Sequence, residues 1–80
     1  MNPVKALIVE DNAFMARILY DMLKRYANSI IVSGIAKTGK AAISRIKSVQ
    51  PNVVFLDIEL PDMTGFELLQ QLKRINFQTV

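Results

Sequence analysis

Asp57 directly follows the apolar run Val53-Val54-Phe55-Leu56, and an acidic pair, Glu10-Asp11, directly follows an earlier run, Ala6-Leu7-Ile8-Val9. Two strands that each end in carboxylate imply one acidic pocket assembled from distant sequence, because ligands of an open α/β sheet bind outside the carboxyl ends of its strands. Like charges about 4 Å apart repel by roughly 4 kcal/mol at an effective dielectric near 20. Three carboxylates at one site therefore need a cation, and ligands that are all oxygen suit hard Mg²⁺ better than zinc.

Two rival motifs point to other chemistry. Gly34-Ile35-Ala36-Lys37-Thr38-Gly39-Lys40 fits the outline of a phosphate-binding loop, G-x-x-x-x-G-K between a strand and a helix. Its next residue is Ala41, where a Ser or Thr would be needed to ligate Mg²⁺. Asp57-Ile58-Glu59 imitates the D-x-D nucleophile motif of haloacid dehalogenase-type phosphohydrolases. That family would place the motif after its first strand and would not need Glu10-Asp11. The Glu59 side chain is expected to be solvated, and Pro61 and Gly65 to shape the loop that leaves the site.

The elements that must position these residues alternate along the chain. Val4 to Val9 reads as a strand. Asn12 can cap a helix from Ala13 to about Tyr26, whose apolar residues Met15, Ile18, Leu19, Met22 and Tyr26 form one face expected to pack on the sheet. A β-branched strand runs from Ile30 to Ile35. A second helix opens at Thr38-Gly39, turns Ala42, Ile43 and Ile46 inward, and ends near Val49 before Pro51. Val53 to Leu56 forms a third strand. Thr64-Gly65-Phe66-Glu67 fits a capping box, with Phe66, Leu69 and Leu72 or Lys73 expected on the inner face of the third helix and Leu68 and Ile75 flanking it. Phe77 to Val80 resembles the start of a fourth strand. Such alternation implies a parallel sheet with right-handed crossovers.

Composition narrows the class. Eighty residues, about half of them apolar, make one small globular domain. The absence of Cys and His excludes disulfides, thiolate metal sites, an imidazole base and an internal phosphohistidine. Five of the seven acids lie at the two strand ends, while the bases scatter over helices and loops as solvated faces. They form no dense stripe of the kind that binds nucleic acid. Neither a signal peptide nor an apolar run of membrane-spanning length is evident, so a soluble, cytoplasmic chain without membrane or direct nucleic-acid contacts is expected.

Leu7-Ile8-Val9-Glu10-Asp11-Asn12, then Gly39 and Ala42, then Pro51 through Leu69 with Asp57-x-x-x-Pro61-x-Met63-x-Gly65, together resemble the receiver (CheY-like) domain of two-component response regulators over nearly the whole chain. The stretch Phe55 to Pro61 is also similar to receivers that carry LytTR-type DNA-binding domains. The resemblance implies a flavodoxin-like α/β fold with strand order 2-1-3. It implies that Asp57 accepts a phosphoryl group from a phosphohistidine of a sensor histidine kinase, with no separate enzymatic activity. Glu10, Asp11 and Asp57 would hold Mg²⁺, and the backbone carbonyl of Glu59 would be a further ligand. The metal would neutralise the oxygens of the transferring group, and the carboxylate would form an acyl phosphate.

Departures from the family matter too. Receivers run about half as long again, so the chain is expected to be a receiver truncated at its C-terminal end. Three βα units and the start of a fourth strand remain. The switch Ser or Thr of the fourth strand and the Lys of the fifth have no match, since Thr79 comes too early in its strand. Asn52 replaces a usual acid, with little expected effect. A third strand left as an open edge is a template for another chain. Homo-oligomerisation, by edge pairing or exchange of an element, is therefore expected. The alternative function is a folding or oligomerisation module with no switching output.

Overall fold

The three apolar runs pair as parallel strands. The computed structural model describes residues 3–26, 28–57 and 59–73. It contains β1 (Val4–Val9), α1 (Ala13–Tyr26), β2 (Ile30–Ala36), α2 (Gly39–Val49), β3 (Val53–Leu56) and α3 (Gly65–Leu72). The sheet order is β2-β1-β3, as the receiver pattern implied. The expected fourth strand at Phe77–Val80, the Ile75 position and the Tyr26 side chain lie outside the described residues. No helix among the described residues is long and apolar enough to cross a membrane.

β1 is the central strand and is buried on both faces, as a strand between two partners requires. Leu7 and Val9 join Ala36, Ala42, Ile46, Val54, Leu68 and Leu72 in the main core, beneath α2 and α3. Ala6 and Ile8, which alternation turns the other way, are equally inaccessible, and α1 packs on β1 and β2. Full burial of a Leu or Ile stabilises by about 1.5–3 kcal/mol, so Leu7, Ile8, Ile46 and Leu68 dominate the cohesion of the domain.

Each helix starts where its cap predicts. The Met15 amide donates to Asn12 Oδ1 at 3.0 Å, and the Ala41 amide donates to Thr38 Oγ1 at 3.0 Å. At α3 the capping box is complete: the Glu67 amide donates to Thr64 Oγ1 at 3.1 Å, and the Thr64 amide to Glu67 Oε1 at 3.2 Å. α2 ends at Gln50, whose left-handed backbone (φ 52°) delivers its amide to the Ile46 carbonyl at 2.9 Å. Asn52 then anchors the start of β3, accepting from the Lys5 amide at 2.8 Å and donating its own amide to the Lys5 carbonyl at 2.8 Å.

Two helix faces differ from expectation. On α1 the inward line runs through Ala16, Leu19, Tyr20 and Leu23, while Met15, Ile18 and Met22 are 50%, 39% and 53% exposed. Leu19 faces inward as expected, but the arc is rotated away from Met15, Ile18 and Met22 toward Ala16, Tyr20 and Leu23. α1 lies over β1 and β2, so the part of its apolar arc pointing away from them finds no cover among the described residues. On α3 the buried line is Gly65, Leu68 and Leu72, while Phe66 is exposed and Leu69 only half-buried. The line passes through Leu68 because α3 packs against α2 as well as the sheet core.

Candidate functional site

The sheet ladder runs one residue past β1 and β3, and this brings the acids together. The Glu10 amide donates to the Ala36 carbonyl at 2.9 Å, and the Asp57 amide donates to the Val9 carbonyl at 3.0 Å. Both residues are thereby fixed at the carboxyl edge of the sheet, where the open α/β rule places ligands. Carboxylate oxygens of Glu10, Asp11 and Asp57 lie within 4.8 Å of one another, with Glu10 and Asp57 half-buried and Asp11 exposed. Asp11 and Asp57 line a cavity of about 540 Å³ with Glu59, Leu60 and Pro61. All four positions singled out in the sequence thus meet at one site.

The electrostatics are those of crowded anions. Burial, then the neighbouring Asp57 and Asp11 carboxylates, hold the Glu10 carboxyl above its usual range. The Asn12 amide, donating to Glu10 Oε2 at 3.2 Å, opposes that shift. An octahedral Mg²⁺ with ligands at about 2.0–2.1 Å puts neighbouring ligand oxygens about 3 Å apart and opposite ones about 4 Å apart. Three oxygens within 4.8 Å of one another are near enough to converge on one such ion. The donors are all hard oxygen, and their charge is the kind a divalent cation neutralises. The residues fit the metal.

Sequence reasoning missed the fastening of the loop that follows Asp57. Glu59 and Thr64 form an antiparallel bridge, and the Leu60 amide donates to the Met63 carbonyl at 3.1 Å. Asp62, at the tip, reaches α2: its Oδ1 accepts from the Gly39 amide at 2.7 Å and its Oδ2 from the Lys40 amide at 3.0 Å. Those two bonds hold the Asp62 carboxyl below its usual range. A Cβ at Gly39 would collide with the Met63 side chain, which would have to move aside. One signal was available: α2 has no acidic residue in its first turn, which leaves orphan amides seeking an acceptor.

The model of the response regulator receiver domain matches residues 6–80. The chain belongs to the response regulator receiver family. Among curated relatives, the receiver is 42% identical over 72 residues to a protein-glutamate methylesterase/protein-glutamine glutaminase of Methanococcus maripaludis, covering 90% of this chain and 20% of that protein. The protein of the same name from Geobacillus kaustophilus is 38% identical over 74 residues, covering 92% and 21%. The chain therefore spans about a fifth of the length of these relatives, which carry a methylesterase name rather than a DNA-binding one. Among solved structures, the response regulator domain of Thermotoga maritima CheB superposes with a TM-score of 0.88 at 30% identity, covering 98% of this chain and 58% of that one. The signal receiver domain of the putative response regulator NarL from Mycobacterium tuberculosis gives 0.89 at 25% identity, covering 99% and 63%. Among the described residues the receiver fold comprises three parallel strands with their helices.

Proposed function

We propose that Asp57 is the phosphoacceptor of this receiver, taking a phosphoryl group from a phosphohistidine of a sensor histidine kinase. The single observation that carries this is the meeting of Glu10, Asp11 and Asp57 carboxylate oxygens within 4.8 Å at the carboxyl edge of the sheet. An Asp57 carboxylate oxygen attacks phosphorus, the P–N bond to the imidazole breaks, and the electron pair leaves with the imidazole nitrogen, which solvent reprotonates. The product is an acyl phosphate on Asp57. Glu10, Asp11, Asp57 and the backbone carbonyl of Glu59 would hold Mg²⁺, which when bound neutralises charge on the phosphoryl oxygens. Asp57, fixed through its own amide to Val9, lines the cavity. The chain acts as substrate of the transfer, not as an enzyme on a separate substrate.

The test is labelling by acetyl phosphate, or beryllofluoride binding, with and without Mg²⁺, located by peptide mass spectrometry. Modification confined to Asp57, dependent on Mg²⁺ and absent from Asp57→Asn, is expected. A chain that binds neither Mg²⁺ nor beryllofluoride overturns the proposal.

A second reading, a folding or oligomerisation module, is favoured by a different observation. Among the described residues β3 pairs only with β1, and Met15, Ile18 and Met22 of α1 are exposed. On this reading two copies associate through the β3 edge or exchange an element. Sedimentation velocity across a concentration series decides it, and a folded monomer at every concentration removes it.

A further inference from the structure

Asp62 belongs to no ligand set, yet its side chain ties the loop of the acceptor site to α2 by hydrogen bonds. Residues 59–64 close on themselves through the Glu59–Thr64 bridge and the Leu60–Met63 hydrogen bond. Leu60 and Met63 of this loop pack against the core, and Asp62 adds the directional tie: its two carboxylate oxygens accept separately from the Gly39 and Lys40 amides, a fork across the first turn of α2. Hydrogen bonds to an ionised acceptor are shorter and stronger than neutral ones, and a helix N-terminus favours the anion further. Met63, the next residue, has its side chain against the bare Cα of Gly39, so the contact is steric as well as polar. α2 is in turn locked to the sheet by the fully buried Ala42 and Ile46.

We propose that Asp62 is a positioning residue for phosphorylation of Asp57: by clamping its loop to the N-terminus of α2, it holds Glu59, Leu60 and Pro61 in register with the carboxylates across the cavity. The proposal rests on the phosphoacceptor reading above and extends it to a residue that touches no reacting atom. Loss of the clamp leaves Asp57 and Glu10 in place, since their amides are held by the strands. It lets the opposite wall of the cavity, with the Glu59 carbonyl, drift. Misplacement by 1 Å can cost roughly a hundredfold in rate, so a partial loosening should cost about tenfold or more.

The experiment measures the rate of Asp57 labelling by acetyl phosphate at saturating Mg²⁺ in the full chain, with far-UV circular dichroism and thermal melting on every variant. Asp62→Ala should slow labelling by about tenfold or more while remaining folded. Asp62→Asn, whose side-chain oxygen can still accept from one amide, should recover part of the rate. Lys40→Pro removes one of the two donors from within the first helical turn, where proline is tolerated. It should slow labelling as well, and in combination with Asp62→Ala should slow it no further, because both changes break the same clamp. Labelling of Asp62→Ala at the wild-type rate overturns the proposal, as does full additivity of the two changes. Failure of the wild-type chain to label at all would instead bring down the phosphoacceptor reading, so the two failures are distinct.

Discussion

Replacing Asp57 with Asn should stabilise the metal-free protein, although it removes the residue at the centre of the site. Three carboxylates lie within 4.8 Å of one another, and the amide side chain would remove one charge and two of the three repulsive pairs while keeping the shape. At 4.8 Å, each pair of unit charges costs about 0.9 kcal/mol with full water screening and about 3.5 kcal/mol at an effective dielectric near 20. Asp11 is exposed, which places the answer toward the screened end, so a gain of about 2 kcal/mol is expected. In a domain of this size that moves the melting temperature by about 10 °C. The assay is urea unfolding at pH 7 and low ionic strength, in chelator and again in saturating Mg²⁺. In chelator Asp57→Asn should be the more stable protein. In Mg²⁺ the order should narrow or invert, because a cation bound only to the folded state stabilises the wild type by mass action. Added salt should shrink the chelator difference, since exposed charges are screened within about 10 Å at 0.1 M. Equal or lower stability of Asp57→Asn in chelator would refute the view that this site stores repulsion for a cation to relieve.

Acidity should act through Glu10, whose carboxyl is raised by burial and by its two acidic neighbours. A raised carboxyl binds its proton more tightly folded than unfolded, so metal-free stability should increase as pH falls from neutral toward the raised value, and decline as pH rises through it. Mg²⁺ competes with that proton; calorimetric titration should show affinity weakening as pH falls from neutral in the wild type, and a flatter profile in Glu10→Gln. In the core, Leu68→Ala should cost about 2–5 kcal/mol in urea unfolding, the range for a fully buried leucine. Phe66→Ala, two positions away and 70% exposed, should stay within about 0.5 kcal/mol.

What the sequence disclosed follows the range over which each feature is decided. Helix starts were legible because caps are local: Asn12, Thr38 and Thr64 each bind an amide three residues on. Strand identity was legible because short apolar runs alternate with amphipathic helices, and the sheet order followed from the resemblance to receivers. The rotation of a helix was not. Met15, Ile18 and Met22 fit a 3.6-residue period as well as Ala16, Leu19, Tyr20 and Leu23 do, and the choice depends on which strands lie beneath. α3 shows the same ambiguity between Phe66 and Leu68. The Asp62 clamp was the least accessible feature, because it joins residues 22 and 23 positions apart.

The acidic site depends on sheet register in a way that no motif expresses. A one-residue slip turns every side chain of a strand to the other face, so the carboxylates converge only if both neighbours of β1 are held in step with it. On one side the pairing of Ala6 through Val9 with Val53 through Leu56 is regular. On the other it is not: Ala6 is opposite Val32 but Leu7 is opposite Gly34, leaving Ser33 as the extra residue of a bulge. The Ser33 hydroxyl donates to the Ala6 carbonyl at 2.9 Å where the ladder is interrupted. The bulge brings Ala36 opposite Val9, and so places the Ala36 carbonyl to receive the Glu10 amide. Gly34, just past the bulge, has the Arg45 guanidinium over it, 3.3 Å from where a Cβ would stand. Ser33 and Gly34 carry no chemistry of their own. They set the register in which Glu10 faces Asp57, and the metal-binding geometry proposed for this receiver is therefore as much a property of β2, which contributes no ligand, as of the strands that do.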